Sequence, residues 1–537
     1  MSTFTGTLRL ARLALRRDRV RLPLWLLGLT AVAGVSASSV AGLYTSEREQ
    51  AAYARTNITS AVSRVFNGII PEASAGGIVV AETFSILAVL AALMSILAVV
   101  RHTRQNEETG RAEMIGSAVV GRHAGLTAAL LVALGADALL AALLAAGTAA
   151  AGVPLAGSLV LGAAVGATGA VFAGVAAVTA QIAESARAAN GTAAAVLGLA
   201  FLLRAAGDGL APVEDGSVTS LWPSWLSPIG WAQRVRPFAA DDLWPLAMHA
   251  VLLAVLVRAA FALTDHRDVG TGMLPVRRGP ATAARSLLGP LGLAWRLQRG
   301  VLYGWAAGML VMGLALGAVG AEAEEVLGSS AELADVVGRL GGGGDLVDAF
   351  FAAMMGLTGV IIAGYTVQAL LRMRAEETGP LEAVLAGAVS RPRWMLAHIT
   401  CAVLGTAAVL LVTGLANALA YAAAAGSLDR VGALTGAALV QLPATLSLAG
   451  FVVAMIGLLP DRSVAISWAA LGICLLIGQL GPILELPQWV TNLSPFSHTP
   501  SLPAADLALL PITVLAAAAL VLTAAGLTAF RRRDLAF

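Results

Sequence analysis

The sequence predicts an all-α polytopic membrane protein. Twelve transmembrane helices are expected as two parallel tandem six-helix repeats, each with an N-terminal amphipathic interfacial helix and a charged helix on the cytoplasmic side. Three observations predict this. The 537 residues are 58% hydrophobic and 12% charged, with a mean hydropathy of +0.82, whereas soluble domains carry roughly 25% charged residues. Apolar runs such as Gly77 to Val100, Leu126 to Ala151 and Pro511 to Phe530 approach the roughly 20 residues that cross the hydrocarbon layer. They are continuous, which excludes the alternating pattern of a barrel. The third observation is a set of landmarks that occurs twice.

In chain order, the first 21 residues place Arg9, Arg12, Arg16 and Arg19 at spacings of three, four and three, with Leu8, Leu10, Leu13, Leu15 and Leu22 largely elsewhere on the helical wheel. That is a basic amphipathic helix suited to a membrane surface. Its basic segment runs through Arg21 and no clear cleavage site follows, so a cleaved signal peptide is not expected. Membrane helices are then expected near 22–44, 78–100, 124–148, 154–182, 191–207, 244–264, 301–320, 355–372, 395–425, 432–459, 464–483 and 507–530. Arginines gather between even and odd spans, at 9–21, 101–122, 267–299, 372–393 and 531–533. The positive-inside rule makes that side the cytoplasm, with both termini on it, and predicts a multi-pass protein of the cell membrane. The opposite loops carry Glu322, Glu324, Glu325, Glu332, Asp335, Asp345 and Asp348, a second acidic group at 208–242, and Trp222, Trp225, Trp231 and Trp489. Solvated loops flanked by interfacial aromatics account for them.

The repeat is read from paired landmarks. LSPIGW at 226–231 is answered by LSPFSH at 493–498, each before a last apolar helix. Arg16, Arg19 and Trp25 correspond to Arg296, Arg299 and Trp305, and HRD at 266–268 to RRD at 532–534. The expected organisation is a half at 1–264, a linker at 265–290 and a half at 291–537. Six helices per half give both halves one orientation about an axis along the membrane normal.

The most informative pair is charged. NEETGRAEMIGSAVVGRH runs from Asn106 to His123, and AEETGPLEAVLAGAVSRPR from Ala375 to Arg393. Glu107 and Arg111 stand at i and i+4, and Glu113 precedes the apolar Met114 and Ile115, which predicts a short surface helix. Glu376 and Glu377 open its counterpart, with Leu381, Val384 and Leu385 as an apolar face. Arg122 and Arg391 fall where the next membrane helix starts and suit anchoring at the headgroups.

Other chemistry is limited. A net charge of +2 gives no case for nucleic acid. There is no lysine, so a GxxxxGK[ST] phosphate loop is impossible and any ATP must be hydrolysed by another chain. Cys401 and Cys474 lie in separate apolar spans and imply no disulfide or metal framework. The six histidines show no ligand spacing. Inside the spans Asp137 and Asn417 are the candidates for a substrate path, because burying such groups in lipid is costly.

The duplicated EETG phrases, with their following Glu and Arg in a twelve-helix chain that opens on an amphipathic helix, resemble the membrane subunit of type-2 ABC exporters. The likeness is to the fused-repeat actinobacterial permeases described as exporters of polyketide antibiotics, and it covers essentially the whole chain. The resemblance implies coupling helices that dock on a separate ATPase. Glu107, Glu108, Thr109, Gly110, Arg111 and Glu113 would meet one copy; Glu376, Glu377, Thr378, Gly379 and Glu382 would meet the other. ATP and magnesium would then belong to the ATPase, with no cofactor in this chain, and the cargo would be a hydrophobic antibiotic, drug or lipid-like molecule. The second phrase departs from the first at Pro380 and Leu381, so the two docking sites are expected to differ. A proton-coupled secondary multidrug transporter is the alternative, although its expected set of buried carboxylates is missing. The adjacent Asp241 and Asp242 are the only hint of a membrane enzyme.

Overall fold

The structure, a computed structural model, describes residues 2–214, 216–268, 270–273, 281–328, 345–377, 379, 381–480 and 487–533, without the side chains of 286, 322–328 and 479–480. Thr378, Pro380, Glu332 and Asp335, together with the side chains of Glu322, Glu324 and Glu325, therefore lie outside the description. The described chain is all-α apart from one two-residue hairpin, Val213–Glu214 against Ser217–Val218. It divides into two compact units, Met1–Gly279 and Pro280–Phe537. Among the described residues eleven helices are long and apolar enough to cross a membrane. A further apolar helix at Ser463–Leu480 covers most of the span expected at 464–483.

The first unit contains α1 (Thr7–Arg17), α2 (Arg21–Leu43), α3 (Glu47–Thr59), α4 (Ala61–Phe66), α5 (Ala75–His102), α6 (Arg104–Glu108), α7 (Arg111–Gly116), α8 (Ala124–Ala150), α9 (Leu155–Ile182), α10 (Ala186–Gly209), α11 (Pro228–Gln233) and α12 (Trp244–Asp265). Helices α5, α8 and α9 form its buried centre, and α12 packs on α9. Small residues let these backbones approach, as membrane helices require. A Cβ on Gly162 would stand 2.2 Å from the Ala141 carbonyl oxygen. Helix α1 ends at Asp18, and the chain turns before α2 begins.

The second unit contains α13 (Pro290–Gly328), α14 (Leu346–Glu377), α15 (Leu381–Leu385), α16 (Arg391–Ala425), α17 (Val431–Leu439), α18 (Leu442–Leu458), α19 (Ser463–Leu480), α20 (Gln488–Thr491) and α21 (Leu509–Arg532). Helix α14 contacts α13, α16, α18 and α19, and α21 packs on α18. Two features differ from expectation. The span expected at 432–459 is present as Val431–Leu458, but its helix is interrupted at 440–441 between α17 and α18, because Pro443 has no N–H to give and crowds the preceding turn. Among the described residues no separate interfacial α-helix opens this unit, since α13 runs unbroken from Pro290. In the alignment of Arg16 and Arg19 with Arg296 and Arg299, Asp18 falls on Gln298. Glutamine favours the helix interior more than aspartate does, and buried Gln298 bonds to His398 within the unit.

The paired LSP motifs become helix caps. Ser227 accepts the Gly230 N–H, Ser494 accepts the Phe496 N–H, and proline follows at the first helical position in each.

Candidate functional site

The first charged phrase begins where α5 ends. Thr103 leaves helical geometry, α6 adds five residues, and Gly110 turns the chain at φ 69° into α7. Only glycine takes that left-handed geometry without cost. The Gly110 N–H closes the turn on the Glu107 carbonyl at 3.0 Å.

Glu107 points back into the unit. Arg267, just after α12, grips both its carboxylate oxygens, at 2.5 and 2.9 Å, and Arg104 donates to it at 2.7 Å. Arg267 also donates to the Gln181 side-chain oxygen at 2.6 Å, at the end of α9. Fully buried Arg104 donates to the Ala180 carbonyl from Nε and Nη2 at 2.9 and 2.7 Å. One carboxylate and two guanidiniums thus tie the ends of α5, α9 and α12 together. The fork geometry of arginine suits this bidentate grip.

The second unit repeats the arrangement one residue later in the phrase. Glu377 accepts from Arg533 at 2.5 Å and from Arg374, while Arg533 also donates to the Ile456 carbonyl at 2.8 Å, near the end of α18. Glu376 turns instead toward His398 and Arg372, each at 3.3 Å. Arg122 and Arg391 join the same structures. Arg122 donates to the carbonyls of Thr264, Asp265 and Arg267 at 2.8 to 3.1 Å, and Arg391 to that of Arg533 at 2.8 Å. Both cap the end of the last helix in their unit, where unpaired carbonyls gather.

In the first unit Asp18 adds another tie. Buried beyond α1, it meets Arg101 and His102 at 2.6 Å each. Burial raises its pKa, but the hydrogen bonds and charges of His102 and Arg101 outweigh that and hold the carboxyl below its ordinary value. Upstream, residues 2–6 run beside the loop before α8, with the Gly121 and His123 N–H groups donating to Thr5 and Thr3 at 2.9 and 3.0 Å.

The expected site residues therefore divide. Glu108, Thr109, Arg111, Glu113, Gly379 and Glu382 are exposed, and Gly110 is half-buried. Glu107, Glu376 and Glu377 are engaged internally. Arg9, Arg12 and Arg16 are exposed along α1, whereas Arg19, expected on the same helix, is exposed in the turn that follows it, because the helix stops at Asp18. Asp137 is buried, accepts the Ser95 hydroxyl at 2.8 Å on both oxygens, and lies where a Cβ on Gly169 would come within 2.3 Å. Asn417 is buried on α16, and its amide has no hydrogen-bond partner among the described residues. The adjacent aspartates of the enzyme reading serve their own turn: Asp241 accepts the Phe238 N–H at 3.0 Å and Asp242 the Trp244 N–H at 3.4 Å. Sequence reasoning missed Asp18, Arg104, His398 and the partner role of Arg267 and Arg533. The signal for the last two was the HRD and RRD echo, read only as a landmark.

The family described as multidrug efflux system permease Rv1217c, C-terminal domain, matches residues 10–263 and 287–531. The chain belongs to this family. The multidrug efflux system permease protein Rv1217c of Mycobacterium tuberculosis (strain ATCC 25618 / H37Rv) is 41% identical over 536 residues, covering 99% of this chain and 96% of that protein. This agrees with the permease resemblance carried by the EETG phrases, and it makes the chain a transport subunit rather than an enzyme. Its long apolar helices are those of a multi-pass membrane protein.

Proposed function

We propose that the chain is the membrane subunit of an ATP-driven ABC exporter. It carries hydrophobic antibiotics, drugs or lipid-like molecules outward on energy from two copies of a separate ATPase, which bind ATP and magnesium. Twelve helices form two six-helix halves of one orientation, with both termini in the cytoplasm. The name of the Mycobacterium tuberculosis relative supports the efflux reading, and the lack of lysine rules out a phosphate loop in this chain.

The observation that carries the proposal is the split within the EETG phrase. Each copy is anchored at its base by a glutamate that grips the arginine after the last helix, while Glu108, Arg111, Glu113 and Glu382 remain at the surface. Exposed charges give a partner specific, alignable contacts. The internal ion pair then passes a push on the exposed segment to the ends of three membrane helices. The ATPase must favour one arrangement of these helices for its cycle to move them.

The test uses the full chain co-expressed with its ATPase. Glu108→Arg with Glu382→Arg should insert and fold normally yet lose co-purification and substrate-stimulated ATP hydrolysis. Unchanged stimulation would overturn the docking assignment. Transport by the chain alone on a proton gradient in proteoliposomes would favour the secondary-transporter reading.

A further inference from the structure

A cavity of about 370 Å³ lies in the first unit at the end that carries the EETG phrase, within the roughly 300–1,000 Å³ range of small-ligand sites. Leu10, Leu13 and Ala14 of α1 form one wall, and Ile115, Gly125 and Leu126 face it. Arg17, Arg122 and Arg267 also line it.

The second unit shows what makes this space. Arg122 and Arg391 do the same work in their units, so positions can be counted from them. Three and seven residues on, the first unit has Gly125 and Ala129, and the second has Trp394 and His398. Three residues before the arginine that each one caps, the first unit has Thr264 and the second Phe530. Gly125, Ala129 and Thr264 all line the cavity. Trp394, His398 and Phe530 are fully buried, with the indole stacked on Phe530 at 5.7 Å and 5.0 Å from His398. Three large rings in one unit stand where the other has a hydrogen atom, a methyl group and a threonine.

The lining chooses the kind of occupant. Of its two carboxylates, Glu107 is taken up by Arg104 and Arg267, which leaves Asp268. Among the described residues Arg17 meets only the neutral Asn106 oxygen, at 2.8 Å, and Arg122 donates to backbone carbonyls while sharing Asp265, at 3.7 Å, with His123. Positive charge is therefore in excess beside an apolar wall. That wall belongs to α1, whose exposed Leu8, Leu13 and Leu15 alternate with exposed arginines, the pattern of a helix lying at headgroup depth. We propose that the cavity holds the headgroup of an anionic phospholipid from the leaflet in which α1 lies, a site that the second unit has filled with its own side chains.

The proposal stands apart from the ATPase reading, and its test needs no ATPase. Delipidated full-length protein in detergent is titrated with phosphatidylglycerol or phosphatidylcholine, and retained lipid is counted by native mass spectrometry. The wild type should retain phosphatidylglycerol preferentially. Gly125→Trp, which copies the second unit, should abolish the preference; Gly125→Ala should not, because a Cβ there meets nothing within 4 Å. Arg17→Gln, a change at an exposed residue that keeps the test decisive should Gly125→Trp misfold, should lower the preference about fivefold, the weight of one arginine near anionic lipid. Equal retention of the two lipids by wild type, or an unchanged preference in folded Gly125→Trp or in Arg17→Gln, would overturn the proposal. So would competition by free glycerol phosphate as strong as that of the lipid. Loss of rhodamine 6G binding in Gly125→Trp with phosphatidylglycerol retention intact would make the cavity a cargo pocket instead.

Discussion

The two units solve one mechanical problem with different side chains. In the first, the first glutamate of EETG grips Arg267; in the second, the second glutamate grips Arg533. The first unit adds Asp18 between Arg101 and His102, where the second has neutral Gln298 beside His398. Around these clamps the first unit leaves a cavity and the second stacks Trp394 on Phe530. The function common to both is the link from the charged phrase to the last helix. What differs is how much charge holds it, and that difference can be broken experimentally.

The largest effect should come from Arg267→Ala. It strips the mostly enclosed Glu107 of its bidentate partner and leaves Arg104 and the Gly270 N–H, so the cost should approach but not exceed the lower end of the about 3–5 kcal/mol of a fully broken buried pair. Unfolding in detergent should register that loss. Arg533→Ala should cost less, because Arg533 is 17% exposed against 7% for Arg267. A reversed order would break the comparison. Next in size is Gly110→Ala, which forces a side chain into left-handed backbone at about 1–2 kcal/mol. Gly379 has no such φ and an open surround, so Gly379→Ala should stay within about 0.5 kcal/mol. Proteolysis rates of the two loops would show the contrast.

A smaller, pH-dependent effect should mark Asp18. Its pKa is lowered in the folded chain, so its contribution to stability is present above the ordinary value of 3.8 and is lost as the pH falls further, through the folded value. Wild type should therefore lose more stability than Asp18→Asn on acidification through and below that point, as read by melting temperature against pH. Parallel profiles would contradict the role given to Asp18.

The apolar runs made the membrane helices legible, because a 3.6-residue pattern is unnecessary where all faces are greasy and length alone decides. The EETG phrases were legible as sites because charge stands out in such a chain. Which of their acids turns inward was not. Glu107 and Glu108 are adjacent and chemically alike, and only the placement of Arg267, 160 residues away, separates them. The offset between Glu107 and Glu377 defeats alignment of the two phrases for the same reason. Asp18 was hidden as one acid in a basic stretch, although that isolation was itself a signal. Pro443 did mark the divided span at 432–459, a breaker that the hydropathy run concealed. The cavity depends on Gly125 facing inward, and a lone glycine in a glycine-rich membrane chain carries no such message.

The charged phrase is divided between an internal brace and an exposed tip. A pair of double-mutant cycles on unfolding free energy tests it most directly, one for Glu107→Gln with Arg267→Gln and one for Glu108→Gln with Arg267→Gln. The first pair should show a coupling of about 0.5–3 kcal/mol and the second should be additive within about 0.5 kcal/mol. Additive behaviour at Glu107, or coupling at Glu108, would contradict it.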